Sequence, residues 1–152
     1  MIERVCAASA LGEYRTSILS NFNNPGYLDI GVGFTYTPLP NLVITAHPIN
    51  YNFIIAKDDG DYNSSLGAKI VANYTTNLFP GVAWRSNLSS FISYNGNDLS
   101  NYTWINGINL KAFKGIGIGI EYGLRWNPQE TAARELTSGT QSYYAIGISY
   151  SL

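Results

Sequence analysis

The sequence predicts an all-β fold, an antiparallel up-and-down transmembrane β-barrel of about eight strands. Three observations predict it. Apolar and small polar residues alternate with period two along most of the chain. Aromatic residues sort to the ends of the alternating stretches, with aliphatic residues between them. Charge is scarce: charged residues are 12% of the 152 residues while aromatics are 14%.

Composition narrows the function classes. The formal net charge is -1, so there is no basic footprint for nucleic acid. No apolar run reaches the roughly 18 residues of a transmembrane helix. A single cysteine, Cys6, excludes an intrachain disulfide and a multi-thiolate metal site. The first residues, Met1 to Gly12, form an untidy segment without the apolar stretch of an export signal. The expectation is therefore a single β-barrel domain over 1–152 that lacks its native N-terminal part, or the C-terminal strands of a larger barrel.

The elements follow in order. Tyr14 to Phe22 alternates loosely and is a first strand. After the turn cluster Asn23-Asn24-Pro25-Gly26, Tyr27 to Thr37 sets Leu28, Ile30, Val32, Phe34 and Tyr36 against Asp29, Gly31, Gly33 and Thr35. In the third strand the apolar set changes phase between Ala46 and Ile49, which places a β-bulge at His47-Pro48, where a proline is tolerated. A polar loop, Lys57 to Ser64, precedes the fourth strand, Leu66 to Thr75, and Asn77 to Gly81 turns the chain. Val82 to Tyr94, Tyr102 to Ala112 and Ile116 to Trp126 are the next three strands, the first two separated by the turn signal Asn95-Gly96-Asn97-Asp98 and the last two by Lys114-Gly115. Asn127-Pro128 reads as a helix cap and first helical position, with a helix to about Leu136, a Glu130–Arg134 pair and Gly139 as its stop. Tyr143 to Leu152 is the last strand.

Laid up and down, the strands place Tyr36, Tyr74, Trp84 and Tyr150 at one rim and Tyr94, Tyr102, Trp104, Tyr122, Trp126 and Tyr144 at the other. These are the expected membrane-interface aromatics. The opposite faces carry Asp29, Lys69, Arg85, Lys111, Glu121 and Arg125, the expected lumen-facing charges. Both signs occur, so pairing that plugs the lumen is expected rather than the single-sign lining of an ion-selective pore. Glu121 and Arg125 lie four apart on one strand, which favours cross-strand partners for each.

The last strand, Tyr144-Ala-Ile-Gly-Ile-Ser-Tyr-Ser-Leu152, resembles the C-terminal signal of bacterial outer-membrane β-barrels, although Leu152 stands where that signal usually has an aromatic. Ser20-Asn-Phe-Asn-Asn-Pro-Gly-Tyr-Leu-Asp-Ile-Gly-Val-Gly-Phe34, followed by Pro38, Asn41-Leu42 and Pro48, is similar to the C-terminal part of an uncharacterised Bacteroidota-type outer-membrane barrel family. The resemblance implies a Gram-negative outer-membrane location, contact with outer-membrane lipid, and recognition of the C-terminal strand by the outer-membrane assembly machinery. It implies no activity.

Candidate chemistry is thin. His47, the sole histidine, has no serine two residues away on its own strand, the spacing that lipid-A deacylase barrels use. Asp59-Gly-Asp61-Tyr-Asn63-Ser-Ser65 looks like the start of a calcium loop, but Ser64 stands at the glycine position and Ile70 at the closing glutamate. The Asn-x-Ser/Thr matches at Asn73 and Asn87 fall within strands. No cofactor, metal or catalytic residue is expected. The leading expectation is a non-enzymatic, porin-like outer-membrane barrel with a structural, anchoring or passive-permeation role. The alternatives are a soluble β-barrel that binds a small apolar ligand, and a lipid-modifying barrel enzyme.

Overall fold

The computed structural model describes residues 5–21, 24–55, 63–113, 115–133, 135 and 139–150. They form eight strands: β1 (Val5–Asn21), β2 (Asn24–Leu39), β3 (Leu42–Ile55), β4 (Ser65–Phe79), β5 (Val82–Ser93), β6 (Asn101–Phe113), β7 (Ile116–Trp126) and β8 (Thr140–Tyr150). Each pairs antiparallel with its neighbours in sequence, giving a single sheet in the order β1 to β8. The fold is all-β and up-and-down.

Three differences from the expected elements have local causes. The first strand begins at Val5 rather than Tyr14, because Val5 to Thr16 pair with Thr37 to Gly26 of β2. The segment 5–12 is therefore strand, although its run of alanines and its glycine have weak intrinsic β preference. β4 runs on to Phe79, so the turn to β5 is only Pro80-Gly81. The helix α1 (Pro128–Ala133) is shorter than expected, and Gly139 lies at the entry to β8 instead of at the helix end. Its start is as expected: Asn127 Oδ1 accepts the amide N–H of Glu130 at 3.2 Å, the geometry of an N-cap.

The connections at one end are two residues long between β2 and β3, β4 and β5, and β6 and β7. Two of these reversals use positive φ, at Gly81 (82°) and Gly115 (77°), while the Pro40-Asn41 turn does without it. At the other end the chain makes a short 3-10 turn at Asn97–Leu99 before β6, and α1 between β7 and β8. The expected calcium-like stretch lies largely in 56–62, outside the described residues, as do Phe22, Arg134, Leu136, Ser151 and Leu152.

The bulge in β3 falls where the phase change places it. Val32 pairs with Ile49 while Phe34 pairs with Ala46, and the β3–β4 ladder shifts between His47 and Asn50. One extra residue on β3 returns Tyr51 and Phe53 to the same face as Ile44 and Ala46.

The sheet curls. Flat, β1 and β4 would stand roughly 14 Å apart, three strand spacings. Yet the Lys69 side chain of β4 reaches Glu13 of β1 at 2.7 Å. The face that carries Asp29, His47 and Lys69 is thus the concave one. Among the described residues β1 and β8 do not pair, so the curl is open rather than closed into a ring. β8 feels this most: Tyr144, Ile146 and Ile148 are 79%, 77% and 80% exposed, because the strand has a neighbour on one side only.

Candidate functional site

The burial pattern is the reverse of an ordinary soluble domain. Among the described residues the fully buried apolar side chains are Tyr27 and Phe91 alone. The buried polar set is larger and includes Asp29, His47, Asn50, Asn52, Lys69, Gln129 and Glu130. Ile30, Val32, Phe34, Ile49, Leu66, Ile70, Leu88, Ile92, Ile108 and Ile120 are exposed on the convex face. Charged side chains are almost never buried without partners, so the concave face must be internally paired.

It is, in two distinct zones. Over β1 to β4 lies a closed network. Lys69 Nζ donates to Asp29 Oδ2 at 2.6 Å and to Glu13 Oε2 at 2.7 Å. Asn50 and Asn52 each donate a side-chain N–H to Asp29 Oδ1, at 3.1 and 2.9 Å. Arg15 sits 3.2 Å from Glu13 and 3.3 Å from Asp29. Two cations and two carboxylates balance, and Lys69 and Asp29 are 2% and 1% exposed. The network occupies the centre of this half.

One rung along, Ser9 Oγ and His47 Nε2 share a hydrogen bond of 3.1 Å. The two belong to β1 and β3, with Gly33 of β2 between them. A Cβ on Gly33 would stand 1.9 Å from the Ala46 carbonyl oxygen and 2.7 Å from His47 Cα. Glycine is therefore obligatory there, and its missing side chain is what lets Ser9 reach the imidazole. The absence of a serine on the histidine's own strand does not leave His47 without one. Even so, the geometry falls short of a catalytic triad: among the described residues no carboxylate reaches His47 Nδ1, and the residue across the β3–β4 ladder is the cation Lys69.

Over β5 to β8 the concave face is open. Arg85 of β5 and Glu121 of β7 form an ion pair of 2.8 Å that spans Gly107 of β6. Tyr143 of β8 lies across Gly123, and its hydroxyl donates to Glu121 Oε1 at 2.9 Å. Asn87 donates to Asn73 alongside. Arg125 pairs with Glu130 of α1 at 2.6 Å; the expected Glu130–Arg134 pair lies outside the described residues. Glu121 thus has the expected cross-strand partner in Arg85, whereas Arg125 pairs with α1 rather than across a strand. Lys111 is exposed at the short-turn end, where its backbone N–H bonds to Gly81, and it joins neither network. At the opposite end Gln129 of α1 accepts the Asn63 backbone N–H at 2.7 Å, so α1 leans over the mouth to the β3–β4 connection.

The rim aromatics lie on the convex face and pair across strands. Tyr74 meets Trp84 edge-on at 5.4 Å at one rim. At the other, Tyr102 and Trp126 lie 5.1 Å apart and Tyr122 and Tyr144 4.9 Å apart. The Trp104 indole N–H donates to Ser86 at 3.0 Å and the Tyr94 hydroxyl to the Pro48 carbonyl at 2.6 Å. Tyr36 and Tyr150 stand at the short-turn ends of β2 and β8.

Alternation alone did not single out Glu13, Arg15, Ser9 or Tyr143. The signal for the first two was present: carrying the alternation back from Tyr14 sets Glu13 and Arg15 on the face of Asp29. Ser9 needed the β1–β2 register, which no local pattern supplies.

The chain matches no family model, no curated protein and no solved structure.

Proposed function

We propose that this chain is an integral β-barrel protein of a bacterial outer membrane, with a structural, anchoring or passive-permeation role and no catalysis. The observation that carries the reading is the inverted burial: a continuous aliphatic and aromatic convex face around a polar, charge-paired concave one. Soluble monomers rarely expose apolar patches beyond a few hundred Å². In lipid the same face is solvated, and the aromatic rims sit at the interfaces. The scarcity of charge fits too, since a lipid-facing surface has no use for lysine and glutamate. The Bacteroidota-type family resemblance agrees with this location. Lipid is the main partner, and the C-terminal strand is the segment offered to the assembly machinery.

A soluble barrel that binds an apolar ligand is disfavoured by the same face inversion, because its pocket would be lined by Asp29, Lys69, Arg85 and Glu121. A lipid-modifying enzyme is disfavoured because, among the described residues, no carboxylate orients His47.

The test is extraction and gel mobility. The account expects the protein to require detergent for extraction from membranes and to migrate faster unheated than boiled. Recovery as a monodisperse protein without detergent would contradict it.

A further inference from the structure

The open half of the concave face has a composition of its own. Two adjoining cavities, of about 310 and 330 Å³, share Arg85 and Glu121 as common walls. Both fall at the lower end of the roughly 300–1,000 Å³ typical of small-molecule sites. Asn73, Asn87, Asn109 and Ser149 are among the polar residues that line them, and Ile120, Ile146 and Ile148 border the first. Gly119, Ala145 and Gly147 leave it open, and a Cβ built on Gly147 meets nothing within 4 Å.

We infer that the Arg85–Glu121 pair and its surrounding amides bind a small, neutral, polyhydroxyl solute the size of a mono- or disaccharide. Charge decides against ions. Arg85 and Glu121 neutralise one another at 2.8 Å, so a cation or an anion gains no net field here and must compete with the existing partner. Hydrogen bonding decides for hydroxyls. A hydroxyl donates and accepts, and the site offers guanidinium donors, carboxylate acceptors and amides that do both. These groups are available: the Arg85 and Glu121 side chains are 56% and 26% exposed, whereas in the other half the Lys69–Asp29 pair is 2% and 1% exposed and only its outer members Arg15 and Glu13 reach the open. Tyr143, outside both cavities, donates its hydroxyl to Glu121 Oε1 at 2.9 Å and so helps hold the carboxylate in place.

The inference rests on the proposed reading in one respect, that the concave face is the watery side; it names the solute class for the permeation role. Binding is measured in detergent micelles, so it does not depend on transport. Titration calorimetry with maltose, sodium gluconate and glucosamine hydrochloride gives the comparison. Wild-type protein binds maltose saturably and the two charged sugars at least tenfold more weakly. Glu121→Gln leaves Arg85 uncompensated and inverts the order, with gluconate now ahead of maltose. Gly147→Leu fills the cavity without touching the ion pair and weakens maltose binding at least tenfold. Unheated gel mobility verifies the fold of each variant, and Gly147→Leu decides the matter if Glu121→Gln does not fold. Absence of saturable maltose binding, equal affinity for gluconate in the wild type, or unchanged binding in Gly147→Leu overturns the inference. Maltose binding by a protein that needs no detergent would overturn the membrane reading and support this one.

Discussion

Lys69 Nζ lies 2.6 Å from Asp29 and 2.7 Å from Glu13, so one buried cation ties β4 to both β2 and β1. The contact does two things. It satisfies charges that could not otherwise be buried, and it pulls the β1 edge inward, which sets the curl of the sheet.

Removing Lys69 alone is therefore costly. Lys69→Met leaves Asp29 and Glu13 facing each other with Arg15 as their remaining cation, and breaking a buried pair from one side costs about 3–5 kcal/mol. Adding Asp29→Asn to that variant recovers part of the loss, because the buried charge goes as well. Urea unfolding in micelles of the two single variants and the double variant measures the coupling; additive losses would show that the two residues do not interact.

Gly33 separates space from hydrogen bonding. Gly33→Val drives a side chain into the Ala46 carbonyl and prevents folding, read as loss of the fast-migrating unheated form. Ser9→Ala removes one hydrogen bond and costs only about 0.5–1.5 kcal/mol. His47→Ala leaves any lipid hydrolysis by the purified protein at background, and a drop from a measurable rate would revive the enzyme reading.

How much of this was legible in the sequence depends on the range of the interaction. The convex face could be read outright, since period-two alternation is a property of each strand alone. The bulge at His47-Pro48 was equally plain, because an inserted residue shifts every later side chain to the other face. Asp29, Lys69, Arg85 and Glu121 could be placed on one face but not paired, because pairing depends on register and curl. The start of the first strand is not legible, because Cys6 to Gly12 contains small residues that form strand only when a neighbour supplies the ladder. The helix start is legible because its cap is local, whereas its extent depends on packing, with Glu130 paired to Arg125 on β7.

The cap itself is testable. Asn127→Ala removes the acceptor for the Glu130 N–H and costs about 1 kcal/mol. Because Gln129 and Glu130 are both buried against the barrel mouth, the loss should also appear as faster amide exchange across Thr140 to Tyr143, the entry to β8. Exchange unchanged there would mean that α1 does not hold the strand.

The two faces of β8 respond oppositely to charge. Ile148→Lys places an ammonium on the convex waist and destabilises by about 2–4 kcal/mol if that face meets the bilayer core. Ser149→Lys points to the concave side and is tolerated. Folding yields into phosphatidylcholine vesicles compare the two, and equal yields would contradict a lipid-facing Ile148.

The most direct measurement of the central claim is a nitroxide scan along β7 from Ile116 to Trp126, in a Cys6→Ser background, after reconstitution into vesicles. The account predicts a period of two. Even positions, including Ile118 and Ile120, relax with oxygen dissolved in the lipid, whereas odd positions, including Gly117 and Gly119, relax with a water-soluble nickel complex. A scan with no alternation, or with nickel access at Ile118 and Ile120, would contradict it.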